Sequence, residues 1–101
     1  MKMSTACVIA SLTCLLPLMA ARAYSGQQYA HAARISLAQA RAIALKAFPG
    51  RIVKEELEKE AGGSGLRYSF DIRSHRVVHE VGVDAKTGKL LENSDDSQAK
   101  D

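Results

Sequence analysis

The chain has 101 residues, a formal net charge of +3 at neutral pH and a hydrophobic content of 47%. This length predicts one small domain. Lys2 and Arg22 supply two of the 14 basic residues, and without them the basic and acidic residues nearly balance. A nucleic-acid-binding domain carries a strong basic surplus, so we do not expect this protein to bind nucleic acid.

Residues 1–23 have the features of a secretory signal peptide. Lys2 gives a short positive region, residues 6–20 are apolar or small, and Ala21-Arg22-Ala23 resembles a cleavage site. The apolar run is shorter than the roughly 20 residues that span a bilayer. We expect cleavage near Ala23, a periplasmic or secreted bacterial protein, and no membrane attachment afterwards. Cys7 and Cys14 lie in this segment, so no disulfide is expected after cleavage.

Residues 24–34 are polar and rich in Ala and Gln, which predicts a flexible leader. A helix is expected to follow, because Ser36 and Gln39 have the spacing of a capping box. Apolar residues then recur at helical spacing, and Pro49-Gly50 ends the pattern. The residues of this stripe are Ala40, Ile43, Ala44 and Ala47.

The next segment, residues 51–61, is ambiguous. Its Glu and Lys residues favour a helix by propensity, and Glu55 and Lys59 have the spacing of a helical ion pair. The alternation expected of a strand is weak here. Residues 62–65, Gly-Gly-Ser-Gly, predict a turn or loop under either interpretation.

Residues 66–73 and 77–84 alternate apolar with polar side chains, which predicts two half-buried strands. A hairpin through Ser74-His75 would pair Ile72 with Val77 and Phe70 with His79, all on one face. The opposite face is predicted to be exposed to solvent. It carries Arg67, Ser69, Asp71 and Glu80.

The last part of the chain predicts little regular structure. Leu90-Leu91 begins a short final strand, and residues 93–101 are polar and mostly acidic. A segment with no apolar pattern cannot offset the entropy of ordering. We therefore expect residues 93–101 to form a disordered tail.

Residues 81–90 read as a strand, a tight turn and the start of another strand. In this turn the Asp84 side chain can accept backbone N–H bonds, Thr87 follows, and Gly88 can adopt positive φ. Together with residues 68–72 and the helix before Pro49-Gly50, this motif resembles the PepSY module over residues 35–92. Such modules occur in propeptides of secreted metallopeptidases and in small exported bacterial proteins.

The resemblance implies a fold and resolves the ambiguous segment. A PepSY module has a strand directly after its Pro-Gly, so we expect residues 51–61 to be a strand. The expected fold class is α+β, with one amphipathic helix packed on a small antiparallel sheet of three or four strands, in the order α-β-β-β.

The sequence offers no constellation for catalysis, and we expect no enzyme activity, cofactor or metal. Ser64 lacks the context of a hydrolase nucleophile. His75 and His79 would stand roughly 13 Å apart on a strand, which argues against a metal pair. The Glu residues at positions 55, 56, 58 and 60 read as a solvated charge run.

We therefore expect a module that binds a protein partner through the uncovered sheet face or the edge at residues 54–60. The resemblance implies inhibition or modulation of a peptidase, and we expect it in trans because this chain carries no peptidase domain. One alternative is a periplasmic small-ligand or signal-binding module in envelope sensing; another is a metal carrier using His75 and His79. The candidate partner-binding residues are Lys54, Glu56, Glu58, Arg67, Asp71 and Arg73.

Overall fold

The computed structural model of the protein describes residues 24–97, so the expected signal peptide and the last four residues lie outside the described part. Four antiparallel strands form one sheet in the order β1-β2-β3-β4, and a helix packs against one face. This confirms the expected α+β fold. The elements are a 3₁₀ helix Gln27–Ala32, α1 Leu37–Ala47, β1 Arg51–Lys59, β2 Leu66–Ser74, β3 Val77–Asp84 and β4 Leu90–Asp95.

Helix α1 begins with the expected capping box. The Ser36 hydroxyl accepts a hydrogen bond from the Gln39 backbone N–H at 3.0 Å, and the Gln39 side chain accepts one from the Ser36 N–H at 2.8 Å. These bonds satisfy two donors that a helix start would leave unpaired. Ala40 and Ala44 are fully buried against the sheet, and their small size lets the helix lie close to it. Within residues 24–97, no helix is long and apolar enough to cross a membrane.

The core lies between α1 and the centre of the sheet. Phe70 of β2 and Val81 of β3 pair directly, and both are fully buried. Burying such side chains contributes about 1.5–3 kcal/mol each. The other fully buried residues of β2 and β3 on this side are Ile72 and Val83.

Strand β1 forms against the helical propensity of its Glu and Lys residues. Leu57 is 1% exposed, and the Arg41 guanidinium of α1 donates two hydrogen bonds of 2.8 Å to the Glu55 carboxylate. Tertiary contacts of this kind routinely override local propensity. A β-bulge between Ile52 and Lys54 shifts the pairing with β2.

The β2–β3 hairpin has a different register from the expected one. Ile72 pairs with His79 and Phe70 pairs with Val81, so the pairing is displaced by two residues. The turn lies at His75-Arg76, and His75 has a φ of 59°. Because side chains alternate with period two, a two-residue shift leaves every side chain on its expected face.

Two expectations about the ends of the domain need correction. Residues 24–33, here called the N-terminal strap, are ordered: Tyr29 packs against the core, and the Ser25 carbonyl accepts a 2.8 Å hydrogen bond from the Leu57 N–H. At the other end, residues 93–95 belong to β4, since Asn93 pairs with Val81 and Asp95 with His79. Neither segment has an apolar strand pattern in the sequence. The strap is held by β1 and residues 93–95 by β3, and local sequence patterns do not reveal these contacts.

Candidate partner-binding face

The sheet surface opposite α1, here called the open face, carries the candidate partner-binding residues. Directly paired residues point to the same side of a sheet, so the register places Lys54 beside Asp71, Glu58 beside Arg67, and Arg51 beside Arg73. The same rule adds Glu80, opposite Asp71, and Val78, opposite Arg73. The open face therefore carries residues of β1, β2 and β3.

Part of the open face is occupied by internal contacts. The Ser69 hydroxyl donates a 2.8 Å hydrogen bond to the Glu58 carboxylate, and the Lys54 ammonium lies 3.5 Å from the Glu56 carboxylate. Glu56 and Glu58 therefore have partners within the domain. The Lys54–Glu56 ion pair is partly exposed and contributes little to stability, but it reduces the charge that a partner would meet.

Arg67 is not the exposed residue that strand alternation predicts. Only 7% of it is exposed, because its guanidinium donates to the Glu92 carboxylate at 3.2 Å and to the Ala61 carbonyl at 3.1 Å. A Cβ on Gly82 would lie 3.1 Å from the Arg67 Nη1 atom. The absence of a side chain at Gly82 therefore provides the space that the Arg67 guanidinium occupies. Ser69 is buried as well, at 6%. Arg67 is therefore a structural residue of this face.

Sequence reasoning missed an acidic cluster at the centre of the open face. Asp71, Glu80 and Asp96 each offer a carboxylate oxygen, and these oxygens lie within 4.8 Å of one another. Burial first, and then neighbouring carboxylates, raise the pKa of Glu80 above its ordinary value. The pKa of Asp71 is also raised, mainly by burial, against the opposing effect of Lys54. Asp96 gave no signal because it falls in the expected tail.

The turn after β3 is held by the Asp84 carboxylate, which is 1% exposed. It accepts hydrogen bonds from the backbone N–H groups of Lys86 at 2.8 Å and Thr87 at 3.1 Å, as the motif suggests. Ser64 adds two more, from its N–H at 2.6 Å and its hydroxyl at 2.8 Å. Burial alone would raise the pKa of Asp84, but these bonds outweigh it and lower the pKa to about 2.

Two glycines of these loops also belong to the network. Gly88 has a φ of 81° and donates its N–H to the Asp84 carbonyl at 2.9 Å. A Cβ on Gly63 would collide with the Asp84 carboxylate. The sequence marks residues 62–65 only as a loop, and nothing local indicates that Ser64 contacts Asp84. The arrangement ties the β1–β2 loop to the β3–β4 turn and suits a structural role.

The two histidines of β3 and its turn have separate environments. His79 stacks on Phe48 with ring centroids 3.8 Å apart, and its Nδ1 atom lies 2.6 Å from the Asn93 side-chain oxygen. His75 is exposed in the hairpin turn. Among residues 24–97, the group that could hold a metal is the acidic cluster, which contains neither histidine.

The β1 edge, the other candidate binding surface, is partly covered by the strap. Ser25 forms a parallel bridge with Glu56, and Gly26 lies so close to the Leu57 carbonyl that a Cβ would collide with it. The Lys59 ammonium lies 4.9 Å from the centre of the Tyr29 ring. A partner strand could not pair along the whole of β1 without displacing the strap.

Comparison with known proteins gives one result. No curated protein and no solved structure matches the chain. The family model described as "Peptidase propeptide and YPEB domain" matches residues 34–93, which span α1, all of β1 to β3 and most of β4. The strap precedes the matched region, and the expected and observed folds agree with the match. The chain belongs to the PepSY family.

Proposed function

We propose that this protein is an exported, non-catalytic PepSY module that binds a protein partner through the open face, and that the partner is a secreted or periplasmic peptidase modulated in trans. The family description supports the partner class, because it names peptidase propeptides. PepSY domains are generally non-catalytic propeptide or regulatory modules, and they occur in exported proteins.

The open face is favoured over the β1 edge for one structural reason. The edge already has an internal occupant, since the Leu57 N–H is bonded to Ser25. The open face has none around the acidic cluster: among residues 24–97, no Lys or Arg forms an ion pair with Asp71, Glu80 or Asp96. This unpaired charge at the centre of an uncovered sheet is the observation that carries the proposal.

The test is capture followed by direct measurement. The exported protein is immobilised and exposed to the secreted and periplasmic proteins of the cells that produce it. A retained protein is then purified and its affinity measured by calorimetry. We expect a peptidase whose activity changes when the module binds.

Two matched variants locate the surface. Glu80→Lys reverses a charge at the centre of the open face and should weaken binding at least about tenfold. Glu60→Lys makes the same change at an exposed position beyond the end of β1 and should leave the affinity unchanged. If wild type retains no protein, and a small molecule instead raises its melting temperature, the ligand-binding alternative replaces this proposal.

A further inference from the structure

Two pairs of like charges stand side by side on the open face. Asp71 of β2 pairs directly with Glu80 of β3, and Arg73, two residues further along β2, pairs directly with Arg51 of β1. Like charges placed opposite each other across a sheet are destabilising. The domain therefore carries a local electrostatic penalty at two adjacent positions of the same face.

Among residues 24–97, neither pair forms an ion pair with a residue of opposite charge. The ion pairs of residues 24–97 involve Arg41, Lys54 and Arg67 as cations, so Arg51 and Arg73 have no carboxylate partner there. Lys54 lies opposite Asp71, but its ammonium contacts Glu56. Asp96 adds a third carboxylate to Asp71 and Glu80. A ligand with charges of both signs would relieve both penalties at once.

A groove on the open face extends from the acidic cluster to Arg73. Its acidic part, about 120 Å³, is lined by Lys54, Glu56, Ser69, Asp71, Glu80 and Asp96. Its other part, about 370 Å³, is lined by Val53, Asp71, Arg73, Arg76, Val78, Asp96 and Ser97. Asp71 and Asp96 line both parts, so the two parts adjoin at these residues. Val53 is 45% exposed, which gives the basic part an apolar wall.

We propose that this groove binds an extended segment of a partner protein that carries a Lys or Arg and an Asp or Glu two residues apart. This rests on the proposed function and names the chemistry of its partner. The basic side chain lies among Asp71, Glu80 and Asp96, and the acidic one reaches Arg73, which lines the groove together with Arg76. Val53 and Val78 line the same part of the groove and contact the methylene groups of the acidic side chain.

The two-residue spacing follows from strand geometry. Asp71 and Arg73 are separated by two residues of β2, which is about 7 Å. An extended partner segment places residues i and i+2 on one side at about the same distance. Residues i and i+1 point to opposite sides, so only one of an adjacent Lys-Glu pair could enter the groove.

The experiment is an NMR titration of the exported protein with three blocked pentapeptides. One contains Gly-Lys-Ser-Glu-Gly, a second contains Gly-Lys-Glu-Ser-Gly, and a third contains Gly-Lys-Ser-Lys-Gly. We expect the first to shift the backbone amide signals of Asp71, Arg73 and Glu80 and to bind at least about tenfold more tightly than either other peptide. Equal affinities, shifts confined to other regions, or no saturable shift up to about 10 mM overturn the proposal.

A variant separates binding from a purely structural role. Glu80→Gln removes one like-charge pair, so it should raise the melting temperature by about 1–5 °C while weakening the first peptide at least about fivefold. Glu60→Gln, the matched control outside the groove, should change neither. A fall in both stability and affinity for Glu80→Gln contradicts the proposal, as does calcium shifting the same amides at lower concentration than the peptide.

The outcomes for the two proposals are distinguishable. If a protein partner is captured and Glu80→Lys weakens its binding, but no peptide discriminates by spacing, the open face remains the binding surface and only the segment chemistry is wrong. If the first peptide binds as expected but no protein is captured, the groove chemistry stands and the proposed partner class fails.

Discussion

Asp84 is the residue on which the two loops at one end of the sheet depend. Its buried carboxylate receives four hydrogen bonds, two of them from Ser64, and among residues 24–97 it forms no ion pair. The charge is therefore stabilised by hydrogen bonds alone. Such bonds to a charged group contribute about 1.5–3 kcal/mol each and are not additive.

This makes the stability of the domain pH-dependent in a defined direction. The folded pKa of Asp84, about 2, lies below the ordinary value of 3.8. Its stabilising contribution is therefore present above pH 3.8 and is lost as the pH falls towards 2. Replacing the carboxylate by Asp84→Asn should cost at least about 3 kcal/mol at neutral pH, and the cost should shrink through that window.

Urea unfolding at a series of pH values measures this difference. Asp71 and Glu80 act in the opposite direction, because burial first, and then neighbouring carboxylates, raise their pKa values, so protonation on acidification removes an unfavourable charge. Glu80→Gln is therefore the control, since its advantage over wild type should also shrink on acidification. A difference between wild type and Asp84→Asn that stays constant down to about pH 2 would show that the charge is not what stabilises the turn.

At the scale of elements, the sequence predicted those helices and strands whose limits depend on residues close together in the chain. The Ser36–Gln39 capping box and the Pro49-Gly50 stop define α1, and the alternation of residues 66–73 and 77–84 defines β2 and β3. Strand β1 followed only from the family resemblance, because its burial of Leu57 and the Arg41–Glu55 ion pair are long-range contacts. The hairpin register was two residues off, since the sequence does not show that His75 adopts positive φ.

The strap is the element whose docking on the sheet the sequence patterns did not predict. Its polar residues contain no strand pattern, and its hold on β1 depends on Gly26, which has a φ of 90°. Gly26→Ala should therefore combine the cost of positive φ, about 1–2 kcal/mol, with a collision against the Leu57 carbonyl. We expect the strap to detach, and hydrogen exchange at the Leu57 amide to become faster.

Gly65→Ala is the matched control for this prediction. Gly65 has nearly the same φ, 91°, but a Cβ there meets nothing within 4 Å. Gly65→Ala should lower the stability only by the cost of positive φ, and hydrogen exchange at the Leu57 amide should stay unchanged. Equal exchange at Leu57 in the two variants would mean that the strap is not held by this contact.

At the scale of the whole molecule, the two faces of the sheet differ, because one is covered by α1 and the other is uncovered. Helix α1 covers one face of the sheet, and the strap covers part of the β1 edge. The open face was predictable as a surface because strand alternation places Asp71 and Glu80 together. Its detailed chemistry was not, since the burial of Arg67 depends on Gly82 and Glu92 from two other strands, and Asp96 arrives from beyond β4.

Site-specific photocrosslinking in the cells that produce the protein tests the central claim most directly. A photoreactive apolar amino acid replaces Val78, which lies on the open face opposite Arg73, or Ala42, which is exposed on α1. If the open face binds a protein partner, position 78 should crosslink to one discrete protein and position 42 should not. Crosslinking of that protein from position 42 alone, or from neither position, would contradict the account.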